Sequence, residues 1–337
     1  MPVKSELAPA KLNLTLELGD VRPDGYHEVV TYLVKLGWGD TVRLTARRVP
    51  TSAPASPADG PSATGRTHLT VRGEKVPRGR KNLVLQAAER FVAAQPALLA
   101  VQIDLRKRIP PGTGLGGGSS DAGTVLRMLC RLTRPVSERG ESGRDPERGA
   151  GRDPADEPAA DIPWAEALGA DVPFFVSAAS GAVGTGRGGE LTSAPGLPAF
   201  WPVVLVLPPW RLSTARVYAR AGRTRREAGF GERTARTLEV LRHAVEAASP
   251  GDRQAEGALD TLAYLTGSDL SQAAFSVRPE LRAVWDHLVH ILPCHRPIGM
   301  TGSGSAFYAI LATSEEAAYM TRSLGKTGLA SRVVHAL

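Results

Sequence analysis

The stretch Ile109-Pro-Pro-Gly-Thr-Gly-Leu-Gly-Gly-Gly-Ser-Ser120 decides how the chain is read. A strand predicted over residues 100–106 leads into it, and Pro110 and Pro111 stiffen its exit. Five glycines follow, Gly112, Gly114, Gly116, Gly117 and Gly118, around Thr113 and Leu115. Ser119 or Ser120 is the expected cap of a helix reaching about Leu132. Backbone without Cβ atoms lets N–H groups approach an anion closely, and a helix N-terminus adds unpaired donors and partial positive charge. Strand, glycine run and helix therefore predict a phosphate cradle that needs no lysine of its own.

Two familiar nucleotide folds are disfavoured. Gly112, Gly114 and Gly117 match G-x-G-x-x-G, but so do Gly184, Gly186 and Gly189 in a chain with 36 glycines. A Rossmann fingerprint also needs an acid about 20 residues later, at the end of a second parallel strand. A P-loop needs Gly-Lys-Ser/Thr, whereas this run ends Gly118-Ser119-Ser120.

Working outward, Lys11-Leu-Asn-Leu-Thr-Leu-Glu-Leu18 alternates leucine with polar residues. That period of two predicts a strand with one buried face and places Lys11 and Asn13 together on the other. Arg22-Pro-Asp-Gly-Tyr-His27 reads as a turn. Further strands are expected at 29–36, 40–46, 67–72, 202–207, 305–311 and 330–335. Helices are expected at 82–95, 214–221, 233–248, 258–265, 268–275, 279–290 and 315–324, the last opened by Thr313 and Glu316 as a capping box. Residues 49–66 read as a loose loop. Residues 134–163 lack Leu, Phe, Met, Tyr and Trp and repeat Gly-Arg-Asp-Pro, which predicts a disordered insertion. Mixed strands and helices with antiparallel hairpins argue an α+β fold in two lobes, 1–197 and 198–337.

Composition narrows the function classes. The 337-residue chain is 42% hydrophobic and carries a net charge of +7. Lys and Arg total 41, yet only seven are Lys, so a lysine is not a generic surface cation here. Two cysteines, Cys130 and Cys294, imply no disulfide framework. The N-terminus has no apolar signal core, and the apolar run 200–210 is short and contains three prolines. The expectation is a cytoplasmic protein with no membrane partner. Nine arginines between Arg211 and Arg242 accompany only Tyr218 and Phe230 as aromatics. That run reads as solvated helix faces that help attract an anionic substrate, so no nucleic-acid partner is expected.

Three separated segments resemble the motifs of the GHMP kinases: Pro9-Ala-Lys-Leu-Asn-Leu14, the glycine-serine run, and Gly299-Met-Thr-Gly-Ser-Gly-Ser305. Arg22-Pro-Asp-Gly-Tyr-His27 and Gly169-Ala-Asp-Val-Pro-Phe-Phe175 are similar to the branch whose acceptor is a cytidine diphosphate-linked alcohol, a small-molecule substrate. The resemblance implies the two-lobed GHMP kinase fold, with an N-terminal domain like domain 2 of ribosomal protein S5 and a ferredoxin-like C-terminal domain. It implies phosphoryl transfer from ATP, with Mg²⁺ expected. Asp171 matches the family's catalytic aspartate and Lys11 its catalytic lysine. A carboxylate can take a proton from an alcohol, and a cation beside it offsets charge on the moving phosphoryl group. By the same resemblance Pro110 to Ser120 hold the ATP phosphates, and Asn82 and Lys107 lie near the adenine. Asn13, Tyr26, His27, Tyr218, Gly302 and Ser303 contact the acceptor, with Gly304 completing the third motif. An aromatic stack beside an imidazole suits a cytosine ring.

There are departures. Ile162 to Leu168 is shorter than the helix the family places there, so Asp171 is open to a shifted position. Rival readings are a homoserine or mevalonate type of kinase, or a non-catalytic metabolite sensor on the same fold. Asp-Gly-Tyr-His argues against the first. Retention of both Lys11 and Asp171 argues against the second.

Overall fold

The computed structural model describes residues 3–49, 66–95, 99–133, 162–222, 229–246, 253–292 and 295–337. Most of the loop expected at 49–66 and of the insertion expected at 134–163, and Cys294, lie outside them. Packing divides the chain into two compact units. The first comprises Met1–Ala8, Asp40–Arg108 and Gly118–Ala178; the second comprises Pro9–Gly39, Ile109–Gly117 and Ala179–Leu337. Two long strands, β1 (Lys4–Val21) and β2 (His27–Arg48), contribute residues to both units.

The first unit is a sheet packed against helices. Its elements are β3 (Thr67–Gly73), α1 (Leu83–Ala93), β4 (Leu99–Lys107), α2 (Gly117–Thr133, of which Gly117 belongs to the second unit) and α3 (Val172–Val176). β4 pairs antiparallel with residues 41–48 of β2 and parallel with β3. On β4 Leu99, Val101, Ile103 and Leu105 are buried, whereas Gln102, Asp104 and Arg106 face water, the period-two pattern of a half-buried strand. Those four residues meet Val84, Ala88 and Phe91 of α1 and Val125, Leu126 and Leu129 of α2 in one core.

The second unit contains the hairpin β5 (Gly181–Thr185) and β6 (Glu190–Ala194), then β7 (Val203–Leu207), α4 (Thr214–Ala221), α5 (Glu232–Glu246) and α6 (Arg253–Leu265). It continues through β8 (Gly267–Ser268), α7 (Ser271–Val277), α8 (Glu280–Ile291), β9 (Ile298–Met300), β10 (Phe307–Ile310), α9 (Ser314–Gly325) and β11 (Ala330–Val334). The glycines at 184, 186 and 189 belong to the β5–β6 hairpin and its turn. β7, β9, β10 and β11 form a four-stranded antiparallel sheet in the order β11-β7-β10-β9. Its central strands are apolar without interruption because both faces are covered. Val203 and Leu205 enter one core while Val204 and Val206 enter another, and Tyr308 and Phe307 divide in the same way.

Two expectations are corrected. β1 is not buried on one face only: Lys11, Asn13, Thr15 and Glu17 are as enclosed as the leucines between them. Their enclosure follows from hydrogen bonding. Glu17 accepts from the N–H groups of Gly231 and Thr234, where the N-terminal turn of α5 covers that face. Helix α2 also starts earlier than expected, at Gly117, so Ser119 and Ser120 lie inside its first turn rather than capping it. Gly116 has φ +73°, which glycine adopts at little cost and which turns the chain into the helix there.

Candidate active site

In the second unit, β1 carries Lys11 and Asn13 into a buried polar network. Lys11 Nζ donates to Asn13 Oδ1, and Asn13 Nδ2 donates to Thr31 Oγ1 at 2.8 Å. Thr31 in turn donates to the Thr15 carbonyl at 2.6 Å, and Asn13 N–H reaches Thr301 Oγ1 at 3.2 Å. Both Lys11 and Asn13 are only 3% exposed. Burial of an ammonium is costly unless it is paired, so this lysine is held rather than solvated.

Around this network the glycine segment is fixed by its backbone. Lys11 N–H donates to Leu115 O, Leu212 N–H to Gly112 O and Ala306 N–H to Thr113 O, at 2.9–3.1 Å. Thr113 Oγ1 closes the turn onto the Pro110 carbonyl at 2.8 Å. The third motif lies against it: a Cβ on Gly302, which has φ +57°, would lie 3.3 Å from Lys11 Nζ and 3.2 Å from Asn13 Oδ1. Ser303 Oγ is 3.0 Å from Thr214 Oγ1 at the start of α4. Lys11, Asn13, Gly112, Gly114, Leu115, Gly302 and Ser303 are thus brought together within one unit.

A second group gathers at the turn before β2. Tyr26 is 53% exposed, whereas His27 is buried. The rings of His27 and Tyr218 lie 5.6 Å apart. His27 Nε2 is 2.8 Å from the Gly222 carbonyl, an acceptor, so Nε2 carries a proton. The Arg187 guanidinium covers the Tyr26 ring at 3.7 Å. Val29 N–H holds the neighbouring Gly186 carbonyl at 2.8 Å, which fixes the β5–β6 turn beside Tyr26 and His27.

In the first unit, Asn82 Oδ1 caps α1 by accepting from Val84 N–H at 2.9 Å, and its amide donates to Pro77 O. A Cβ on Gly118 would meet Leu83 at 3.7 Å, so the start of α2 lies beside the start of α1. Asp171 precedes α3 without capping it. Its segment is set against α2: a Cβ on Gly169 would lie 3.6 Å from Ser119 Oγ, and one on Gly123 would strike Phe175 at 2.6 Å. The shortened stretch before Gly169 ends in a single 3₁₀ turn, Glu166–Leu168.

Lys107 is buried. Its ammonium donates to Asp40 and, at 2.6 Å, to Asp121 Oδ2. The sequence carried no local sign that Lys107 meets Asp40 and Asp121, that Asn13 meets Thr31 and Thr301, or that Tyr26 meets Arg187, because each partner is distant in the chain. Among the described residues no three His, Cys, Asp or Glu side chains gather as a metal site. Nor is any helix among them long and apolar enough to cross a membrane.

The chain is similar to known proteins along its whole length. A family model, GHMP kinases N terminal domain, matches residues 82–142. A Moorella thermoacetica protein named 4-diphosphocytidyl-2-C-methyl-D-erythritol kinase is 33% identical over 331 residues, 97% of this chain and 96% of that one. One of the same name from Salinibacter ruber is 38% identical over 195 residues, which span 55% of it. Another, from Heliobacterium modesticaldum, is matched over 58% of its length, so the chain spans little more than half of these two relatives. A crystal structure of 4-(cytidine 5'-diphospho)-2C-methyl-D-erythritol kinase superposes with TM-score 0.63 at 30% identity, covering 99% of this chain and 100% of that one. A Cytophaga hutchinsonii homoserine kinase and a mevalonate kinase share the fold at 13% and 10% identity, with TM-scores 0.59 and 0.55.

Proposed function

Since the chain belongs to the GHMP kinases, in the family of 4-diphosphocytidyl-2-C-methyl-D-erythritol kinases, we propose that it phosphorylates the 2-hydroxyl of that cytidine diphosphate-linked alcohol with ATP. The reaction would be a step in non-mevalonate isoprenoid precursor synthesis. The observation that carries the reading is the backbone of the glycine segment laced to buried Lys11 and to the Gly302 turn. Such an arrangement offers fixed N–H donors and one cation to a polyphosphate without a P-loop lysine. The group of Tyr26, His27 and Tyr218 supports a cytosine-bearing acceptor over homoserine or mevalonate.

In this reading Asp171 accepts the proton of the 2-hydroxyl as its oxygen attacks the γ-phosphorus. The new O–P bond forms as the bond from the γ-phosphorus to the β,γ-bridging oxygen breaks, and ADP leaves. Lys11 offsets charge that develops on the transferred group. Asn13 and Thr31 keep Lys11 in place, and Tyr26 and Tyr218 flank the base. Asn82 belongs to the adenine side of the nucleotide site.

Mg²⁺ asks little of this chain. Bound with ATP it would neutralise phosphate charge, and this chain would need to offer it only one or two oxygens. The hydroxyls of Ser119 and Ser120 in the first turn of α2 fit that demand, and Ser120 Oγ is a buried polar atom with no hydrogen-bond partner.

The test is ADP release with Mg-ATP and, separately, diphosphocytidyl-methylerythritol, homoserine and mevalonate. Turnover is expected with the first. Activity on it no higher than on the other two would overturn the assignment.

A further inference from the structure

Lys107 ends β4, immediately before the glycine segment, and Asp121 lies on α2, immediately after it. Asp40 stands beside them on β2. Lys107 Nζ donates to Asp40 Oδ2 and Asp121 Oδ2, and the backbone N–H of Arg108 donates to Asp40 Oδ1. The three side chains are 3%, 0% and 3% exposed. The Lys107 backbone is fixed as well, since a Cβ on Gly73 would lie 2.1 Å from its carbonyl oxygen. An ammonium buried and committed to two carboxylates is poorly placed to meet a nucleobase.

We propose that Lys107 acts on ATP indirectly, as a positioning residue. With Asp40 and Asp121 it clamps the strand that enters the phosphate-binding segment to the helix that leaves it. The inference rests on the kinase reading and changes the part Lys107 plays within it. Two carboxylates facing one ammonium leave a negative charge uncompensated away from water, which is costly. Asp121 Oδ1 has no hydrogen-bond partner, so Asp121 is the member least committed to an ionised form. Burial first, and then Asp40, push its carboxyl well above the usual range against the opposing pull of Lys107. Asp121 is therefore the member whose neutral form costs least, while Lys107 and Arg108 N–H both donate to Asp40. Asparagine at 121 would leave that pairing intact, whereas asparagine at 40 would not.

The experiment compares binding of ATP and of adenosine to the wild-type chain and to Lys107→Met, Asp40→Asn and Asp121→Asn, all close in volume to the residues replaced. Misplacing the segment should weaken ATP about tenfold or more in Lys107→Met and Asp40→Asn. Adenosine, which lacks phosphates, should change less than about twofold, and Asp121→Asn should hold ATP within about threefold of wild type. Parallel loss of adenosine affinity in Lys107→Met would mean that Lys107 touches the base, and the clamp would fall. Unchanged ATP affinity in Lys107→Met or Asp40→Asn would also overturn it, as would a loss in Asp121→Asn as large as in Asp40→Asn. If the wild-type chain bound neither ligand, the kinase reading would fall first and the clamp with it.

Discussion

A methyl group on Gly114 would lie 2.1 Å from the carbonyl oxygen of Thr301, so the glycine segment and the third motif meet backbone to backbone. Gly114 also has φ +79°, where an L side chain adds about 1–2 kcal/mol of strain. Gly114→Ala should therefore lower kcat/KM for ATP at least tenfold, roughly 1.4 kcal/mol, and reduce the melting temperature. Gly79→Ala, where a methyl meets nothing within 4 Å, is the control and should change neither. Equal effects in the two variants would refute the contact argument.

Asp171 does not cap α3, although capping is the commonest work of an aspartate at such a position. If it takes the hydroxyl proton, Asp171→Asn should lower kcat by about 10²–10⁴-fold while the KM for ATP stays near wild type. Steady-state kinetics would remove it from that role if kcat stayed within about threefold.

Lys11 is held by Asn13 in a buried network. Lys11→Met removes the cation while keeping the aliphatic stem, so packing should survive. Loss of a preorganised cation predicts a fall in kcat of about 10²–10³-fold with little change in melting temperature. A variant that lost stability but kept its turnover would make Lys11 a structural residue only.

His27 spends Nε2 on the Gly222 carbonyl, and in the neutral form of such a ring the other nitrogen, Nδ1, is an acceptor. An acceptor suits the exocyclic amine of cytosine and not the carbonyl that uracil carries there. CDP should therefore bind about tenfold more tightly than UDP, the worth of one hydrogen bond of about 1.4 kcal/mol. His27→Leu should erase the difference. Calorimetric titration that found CDP and UDP equal in the wild-type chain would exclude His27 as the reader.

Stability should depend on acid through Glu316. Burial opposes its ionisation, but hydrogen bonds from Arg296 and from Ala312 N–H outweigh it and hold the carboxyl below its usual 4.5. A folded-state value below the unfolded one stabilises the fold fully above pH about 4.5 and less as pH falls through the folded value. Urea midpoints measured from about pH 6 down to pH 3 should fall less steeply for Glu316→Gln than for wild type. Parallel curves would show that the pair contributes nothing.

Much of the fold was legible because its causes are local. The leucines at 12, 14, 16 and 18, the apolar run 203–207 and the Thr313 cap report strand and helix through periods and bonds spanning a few residues. The capping box was legible, but not the rest of what Glu316 binds. Thr313 Oγ1 accepts from Glu316 N–H, and the Glu316 carboxylate accepts from the backbone of Thr313 as well as from Ala312 N–H and Arg296. The early start of α2 was hidden for a related reason, since the positive φ of Gly116 depends on where the segment is anchored.

The site divides along the same line. The chain itself singled out the glycine run, Lys11, the Tyr26–His27 turn, Asp171 and the third motif as candidates, because each is marked by neighbouring residues. Only the tertiary structure decided what surrounds them: Thr301 reaching Asn13 across 288 positions, Arg187 over Tyr26, and Asp40 and Asp121 around Lys107. A buried ammonium must find its carboxylates wherever folding brings them within reach. No local pattern in the sequence records that choice.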